Sequence, residues 1–448
     1  MVVSNTEDLQ SYVEAFDAGS DPAGPEWLSA YQGEAFARFR STGLPVPGSE
    51  AWKYTNIRGL IDREFRPGES PASALDAADL SSRSLLGATC PMAVFVNGVF
   101  NEDLSSLPGG EEGVVAVPLS VAIERNEDGL KEALSGAEAY EFESFADLNS
   151  SLFRTGAYIR VPEGFDGQAP IYLMYLSDCP AGVSMTHPRN VIHLEPGSKA
   201  RVIEDYCGIS DTGYLTNSFS QFQIGKNAAC VHYRFVREGA GSFHISNTGI
   251  NQADHSRFAS HVFCFSGGVV RNEVAAILDG EGIECTLNGL TVGDGDEHVD
   301  NHTRIVHSKP NCNSWEMYKA VLADEAHGVF NGKIYVAQDA QKTDAKQSNQ
   351  ALLLSDQAVM DTKPELEIYA DDVKCTHGAT VGQLNEEGLF YLRSRGIGEK
   401  AAKVLLVYAF ASDLVAEIED PDLKAKVESI LFEKLPGHCE PAGIPEGA

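Results

Sequence analysis

The chain reads as mainly β with α-helical ends, a parallel β-helix core between an N-terminal and a C-terminal helical region. Three observations lead there. Apolar residues at three-and-four spacing are confined to the first 155 residues and to those from Asn385 onward. Between about Tyr158 and Val381, short runs of β-branched and aromatic residues are separated by Gly, Asn, Asp and Ser, as in an all-β body. In the second half of that body, apolar clusters centre near Leu287, Ile305, Lys319, Tyr335, Leu353 and Tyr369, in steps of 14 to 18 residues. Sandwich strands return at about 8–12 residues, so the longer step favours a stacked solenoid over a β-sandwich.

The elements follow in order. Residues 1–155 form a mostly helical domain, with helices in EDLQSYVEAF, EWLSAYQGEAFARF and FESFADLNSSLF. One extended insert, MAVFVNGVF, carries Asn97-Gly98 between apolar runs, a two-residue hairpin signal. Residues 156–384 are the β-helix core. Its polar stretch QDAQKTDAKQSNQ is expected at solvated corners, where amide side chains stack between coils. Residues 385–448 return to helix in NEEGLFYLRSRG, GEKAAKVLLVYAFASDLVAEI and PDLKAKVESILFEKL. Gly396 and Gly398 separate the first two, and Pro421 opens the third at a favoured first-turn position. The middle helix is apolar over much of its circumference and needs burial, against its neighbours or another protein.

The charge balance narrows the function. With 34 Lys and Arg against 65 Asp and Glu, the net charge is −31, a field that repels nucleic-acid phosphates and anionic lipid. No nucleic acid and no membrane partner is expected. The nine cysteines, at 90, 179, 207, 230, 264, 285, 312, 375 and 439, contain no C-x-x-C pair and suit neither a disulfide framework nor a self-contained zinc or cluster motif. A reducing, cytoplasmic setting is expected, because the first residues carry no basic or long apolar run of the signal or transit type.

Familiar catalytic equipment is missing. No G-x-x-x-x-G-K-[ST] occurs, so ATP is not expected to bind through a P-loop of this chain. Gly293 and Gly295 begin a G-x-G, but His298 stands where a dinucleotide fingerprint needs its third glycine. No G-x-S-x-G elbow or kinase motif set is present.

The segment YADDVKCTHGATVG holds the first candidate site. On a strand, Val373, Cys375 and His377 share a face, and the Cα atoms of Cys375 and His377 lie about 6.6 Å apart. Such a pair can converge on one metal ion, but two ligands are half a tetrahedral site, so the rest must come from a neighbouring coil or another chain. A nucleophile pair is less well supported, because Asp371 shares the face and Lys374 points away. A small buried thiol beside a hydrogen-bonded imidazole is the plain alternative. The second candidate is HVDNHTRIVH, where His298, Asp300 and His302 share a strand face as nitrogen and oxygen ligands would. Its alternative is a hydrated outer row of a solenoid coil. Cys312 and His327 have no partner within sequence range and receive no role.

Longer strings then point to a family. WKYTNI, VFNGKIYV with AQKTDAKQSNQALLLS, TKPELEIYADDVKCTHGATVGQL and EEGLFYLRSRGI resemble the SufB/SufD family, scaffold subunits of the SufBCD iron-sulfur cluster assembly complex. The resemblance is dense from about Asn301 to Ala411 and is anchored further forward at Glu50 to Ile57. It is closer to the SufD type, since DDVKCTHGAT lacks the glutamate-bearing segment of the SufB type and AHGVFNGKI lacks its cysteine; a SufB-type scaffold is the alternative. The resemblance implies a right-handed β-helix, a SufB-type paralogue and a SufC-type ABC ATPase as partners, and a homodimer as a further association. It implies no enzyme activity of its own, no cofactor held tightly alone, and a transient iron or iron-sulfur cluster in the complex. By the same resemblance His377 lies at the paralogue interface, as a nascent-cluster and iron residue with Cys375 beside it. Leu389, Tyr391, Arg393, Arg395 and Tyr408 would belong to the surface that docks the ATPase, although Leu405, Leu406 and Tyr408 equally suit the inside of a small helical bundle. Two other classes compete on the residues alone. A β-helix enzyme acting on polysaccharide needs clustered carboxylates in a cleft and favours secretion. A cysteine hydrolase would use Cys375 and His377.

Overall fold

The computed structural model describes residues 9–435 apart from 20–24, 47, 69–74, 88–89, 108–112, 128 and 181–182. Cys439 therefore lies outside the described residues. Two sheets run side by side along the core. One is built, in spatial order, from β4 (Val115–Pro118), β5 (Ala157–Val161), β8 (Arg189–Leu194), β10 (Leu215–Ile224), β12 (Phe243–Gln252), β14 (Val269–Leu278), β16 (His298–His307), β18 (His327–Val336) and β20 (Val359–Ile368). The other runs from β3 (Val99–Phe100) and β2 (Met92–Val96) through β6 (Ile171–Ser177), β9 (Lys199–Gly208), β11 (Ala229–Arg237), β13 (Arg257–Ser266), β15 (Glu284–Gly293), β17 (Asn313–Leu322) and β19 (Asp344–Leu353) to β21 (Lys374–Gln383).

Each coil gives one strand to each sheet, and successive coils pair in parallel and in register, Glu284 opposite Asn313, Asn313 opposite Asp344, Asp344 opposite Lys374. The step read from the apolar clusters is thus half a coil. Parallel pairing between every second strand excludes the sandwich, whose neighbours run antiparallel.

Side chains alternate between the lumen and the outer faces. The lumen holds Phe258, Cys285, Leu287, Phe330, Ile334 and Ala345 in one apolar cluster. It is also polar in places. Glu204 is fully buried and accepts from Arg234 and Ser220, with the His232 ring beside it. The amide-rich stretch before Leu352 only partly follows expectation: residues 338–342 form the corner, but Gln347 and Asn349 are strand residues buried in the lumen. Alternation, not composition, decides which amide points inward.

The N-terminal helices α1 (Gln10–Gly19), α2 (Glu26–Thr42) and α7 (Ser144–Leu152) pack around Tyr12, Phe39, Phe145 and Leu148. The expected hairpin forms at Asn97-Gly98, both at positive φ (48° and 78°), as the tight turn between β2 and β3 requires. Both β2 and β4 continue the core sheets into the N-terminal region.

At the other end stand α8 (Glu386–Ser394), α9 (Glu399–Ala416) and α10 (Pro421–Lys434). Asn385 and Asp420 cap the first and last by accepting from backbone N–H groups of the first turn, and Pro421 occupies the place where no donor is lost. The apolar α9 buries Val404, Val407, Ala411, Leu414 and Val415 against α10 and the outer face of the second sheet. Among the described residues no helix is long and apolar enough to cross a membrane.

Candidate functional site

Cys375 and His377 stand on β21, the last strand of its sheet. The strand begins only at Lys374, so Asp371 sits in the preceding bend rather than on the strand face. Register fixes their direction: Cys375 lies opposite buried Ala345, and His377 opposite buried Gln347, so both point to the lumen side. Cys375 packs against the lumen cluster and is half-buried. His377 is exposed because, among the described residues, no further coil covers it. The thiol and imidazole therefore share one face at the open mouth of the solenoid.

The electrostatics disfavour a prepared nucleophile. Burial pushes the Cys375 thiol up, the charge of Asp344 pushes the same way, and the Ala345 backbone only partly opposes them. A hydrolase needs a thiolate stabilised near neutrality. Among the described residues no group of three His, Cys, Asp or Glu side chains is placed to hold a metal ion, so the mouth alone is the half-site that two ligands make.

The second candidate meets a different fate. His298, Asp300 and His302 do share the outer face of β16, but that face is covered by the WKYTNI segment. The Thr55 hydroxyl donates to Asp300 and meets His298 Nε2 at 2.9 Å. Arg271 donates to Asp300 at 2.6 Å and lies 3.8 Å from the Trp52 ring, while His302 reaches Asp300 at 3.0 Å. Burial alone would raise the Asp300 pKa. The charges of His302 and Arg271, with hydrogen bonds from His302 and Thr55, outweigh it and hold the carboxyl well below its usual range. With Asp300 buried and His298 and His302 half-buried under the segment, the row forms the polar socket that docks it. Sequence reasoning missed this because Thr55 and Asp300 are 245 positions apart.

The C-terminal candidates separate into two environments. Tyr391 is exposed, with the Arg395 guanidinium 4.4 Å from its ring, and Arg393 pairs loosely with Glu399 at 3.4 Å. Leu389 is half-buried, and neighbouring Phe390 is 74% exposed, an apolar ring in water that the sequence reading did not single out. Tyr408 instead stacks on Phe432 at 5.0 Å and donates to Glu428 at 2.8 Å, inside the α9–α10 contact. Below α9, Lys319 on β17 reaches both carboxylate oxygens of Asp413 (2.7 and 2.6 Å) and the Phe410 carbonyl, which ties the bundle to the core.

A two-sheet parallel solenoid with helical ends, open at a strand carrying an inward Cys and His, is the architecture of a β-helix scaffold. Comparison with known proteins agrees. The family described as "SUF system FeS cluster assembly, SufBD core domain" matches residues 176–410, and "SufBD protein N-terminal region" matches residues 7–173. The chain belongs to the SufB/SufD family, and its full-length similarity is to the SufD type. It is 34% identical over 438 residues to the iron-sulfur cluster assembly protein SufD of Escherichia coli, covering 97% of this chain and 98% of that one. An iron-sulfur cluster assembly SufBD family protein of Synechocystis sp. is 30% identical over 395 residues, 86% of each chain. SufD of Bacillus subtilis is 23% identical over 448 residues, 95% of this chain and 98% of that one.

Proposed function

We propose that this chain, a scaffold subunit of iron-sulfur cluster assembly, pairs through the open end of its β-helix with a SufB-type paralogue and presents His377, with Cys375 beside it, to a nascent cluster at that interface. One observation carries the reading. Both sheets end on ten-residue strands, β20 and β21, whose outer edges are unpaired among the described residues. Val359, Tyr369 and Val381 are exposed there by 46%, 60% and 45%. Long unpaired edges are templates for strand addition; Lys363, Pro364, Glu365 and Glu367 on β20 blunt indiscriminate pairing and favour a partner of matching shape and charge. A partner that continues both sheets satisfies the edges and brings its own ligands to the mouth, completing the half-site. Iron and sulfide are cargo here: neutral imidazole is a competent iron ligand, and a thiolate forms at Cys375 once a metal replaces its proton. A second copy of the chain meets the same edges when the paralogue is scarce.

The exposed Phe390 and Tyr391, with Arg393 and Arg395, serve as the docking surface of a SufC-type ATPase, which supplies the nucleotide hydrolysis that this chain has no P-loop to perform. The chain itself is not an enzyme and works in the cytoplasm. The test is co-expression with SufB-type and SufC-type partners, as wild type and as His377→Ala, followed by iron and sulfide analysis and the visible spectrum of the purified complexes. Loss of cluster with the complex intact is expected. A full complement of cluster in the variant would refute the role of His377.

A further inference from the structure

Between α1, the strand β1 (Arg66–Pro67), the Asn97-Gly98 turn and the strand β7 (Ser184–Thr186) lies a cavity of about 110 Å³. It is too large for a single water, whose share of liquid volume is about 30 Å³. Its walls are mixed: Ala15, Leu152 and Met185 give apolar surface, while Arg154 and His187 bring nitrogen donors. In a chain with 65 Asp and Glu, no carboxylate among the described residues lines it. Arg154 is exposed and Val99 is 46% exposed, so the cavity opens to solvent on their side.

The hydrogen bonds behind the His187 ring fix its tautomer. The Asn217 amide donates to the Phe145 carbonyl at 2.9 Å, which identifies the donating atom as nitrogen, and the same nitrogen lies 3.2 Å from His187 Nδ1. The second amide hydrogen goes to Nδ1, which must accept it, so the proton of the neutral ring sits on Nε2. Burial keeps the ring neutral, pulling its pKa from 6.5 down to about 3, and the nearby charge of Arg154 acts in the same direction. His187 is 7% exposed, and its Nε2–H has no acceptor among the described residues. A buried donor left unmatched is costly.

Arg154 is the second donor. Its guanidinium lies over Gly19, where a Cβ would stand 1.3 Å from one of its nitrogens, and it donates a long bond of 3.4 Å to the Ala15 carbonyl near the end of α1. That carbonyl orients the cation without neutralising it, and no Asp or Glu pairs with Arg154 among the described residues. A guanidinium and an N–H that share one cavity, both short of acceptors and both beside apolar walls, make a receptor for an anion with a small hydrocarbon tail.

We propose that this cavity binds a small monocarboxylate of about two to four carbons, its carboxylate held by Arg154 and His187 Nε2–H and its chain set against Leu152 and Met185. Because the cavity lies where the N-terminal helices meet the first coils, the bound ligand fastens one to the other. The site is independent of cluster chemistry at the mouth: Arg154 and His187 stand at the opposite end of the solenoid from His377.

Propionate is the probe, with the full chain alone; saturation-transfer NMR detects its binding, and a titration gives the dissociation constant. Propionamide, similar in shape but uncharged, is the control. Wild type should bind propionate, and Arg154→Gln should weaken that binding roughly tenfold or more, as loss of a charge-assisted hydrogen bond does. His187→Phe should weaken it as well, and wild type should bind propionamide roughly tenfold more weakly than propionate. Other basic groups on the surface are common to all variants, so the differences isolate the cavity. Circular dichroism checks each fold, and Arg154→Gln, at an exposed position, carries the test if His187→Phe does not fold. Absence of propionate binding to wild type, or unchanged affinity in a folded Arg154→Gln or His187→Phe chain, would overturn the proposal and assign the cavity to water. Inorganic phosphate bound as tightly as propionate would overturn the monocarboxylate assignment.

Discussion

Replacing Arg271 by Met should release the N-terminal segment from the β-helix. Arg271 is 1% exposed and donates to Asp300, itself 1% exposed, at 2.6 Å, as well as to Glu273 and the Ala51 carbonyl. Its guanidinium also lies 3.8 Å from the Trp52 ring. Removing one partner of a buried pair costs about 3–5 kcal/mol, and the His302 ring and Thr55 hydroxyl that stay on Asp300 place the cost toward the lower end. The lost cation–π contact adds about 1 kcal/mol. Met keeps the volume, so cavity formation contributes little. The double variant Arg271→Met with Asp300→Leu removes the buried pair, leaving only Glu273 at the partly exposed rim, and should recover much of the loss, because an apolar pair of similar size is often as stable as the ion pair it replaces. Urea unfolding followed by tryptophan fluorescence reads the loss, and hydrogen exchange at residues 50–57 reads local release. A loss below about 1 kcal/mol in the single variant, or a double variant no better than it, would refute the argument that Asp300 is a buried, compensated carboxylate.

Two further predictions concern titration. Because burial raises the Cys375 thiol, its alkylation by iodoacetamide at neutral pH should be slower than that of a free cysteine and should climb only above the ordinary thiol range; preferential labelling near neutrality would contradict the half-buried environment and revive the nucleophile. His307 is buried, with Nε2 at 3.0 Å from the Ser314 hydroxyl, and burial lowers its pKa from 6.5 to about 4. The unfolded chain then binds the proton more readily, so stability falls as pH drops from about 6.5 to 4 and this contribution is flat below. A difference of that size corresponds to roughly 3 kcal/mol, and His307→Gln should make urea midpoints less sensitive across that window; equal pH sensitivity in the variant would place the effect elsewhere.

Much of the fold was legible because it is written in local terms. The repeat of apolar clusters marks strands, the Asn97-Gly98 pair marks a hairpin whose backbone needs positive φ, and Pro421 marks a helix start. The pairing of Cys375 and His377 on one face was also readable, since alternation along a strand is a property of the chain itself. Contacts made across many coils were not readable. Composition could not say that Gln347 and Asn349 face the lumen while residues 338–342 make the corner, because parity depends on where the strand begins. Nor could spacing show that Thr55 and Trp52 would cover His298, Asp300 and His302, turning an apparent ligand row into a docking socket.

The sequence by itself determined the solenoid, its helical ends and the shared strand face of the thiol and imidazole, since each follows from the period of side chains along a short stretch. Tertiary structure alone decided which face each polar row meets. It also decided that Tyr408 packs inside the bundle while Phe390 and Tyr391 stand in water, and that His377 opens to solvent while Gln347, one coil below, is sealed. The physical reason is stacking: in a solenoid, burial of a residue is set by the coil above it, and the last coil has none.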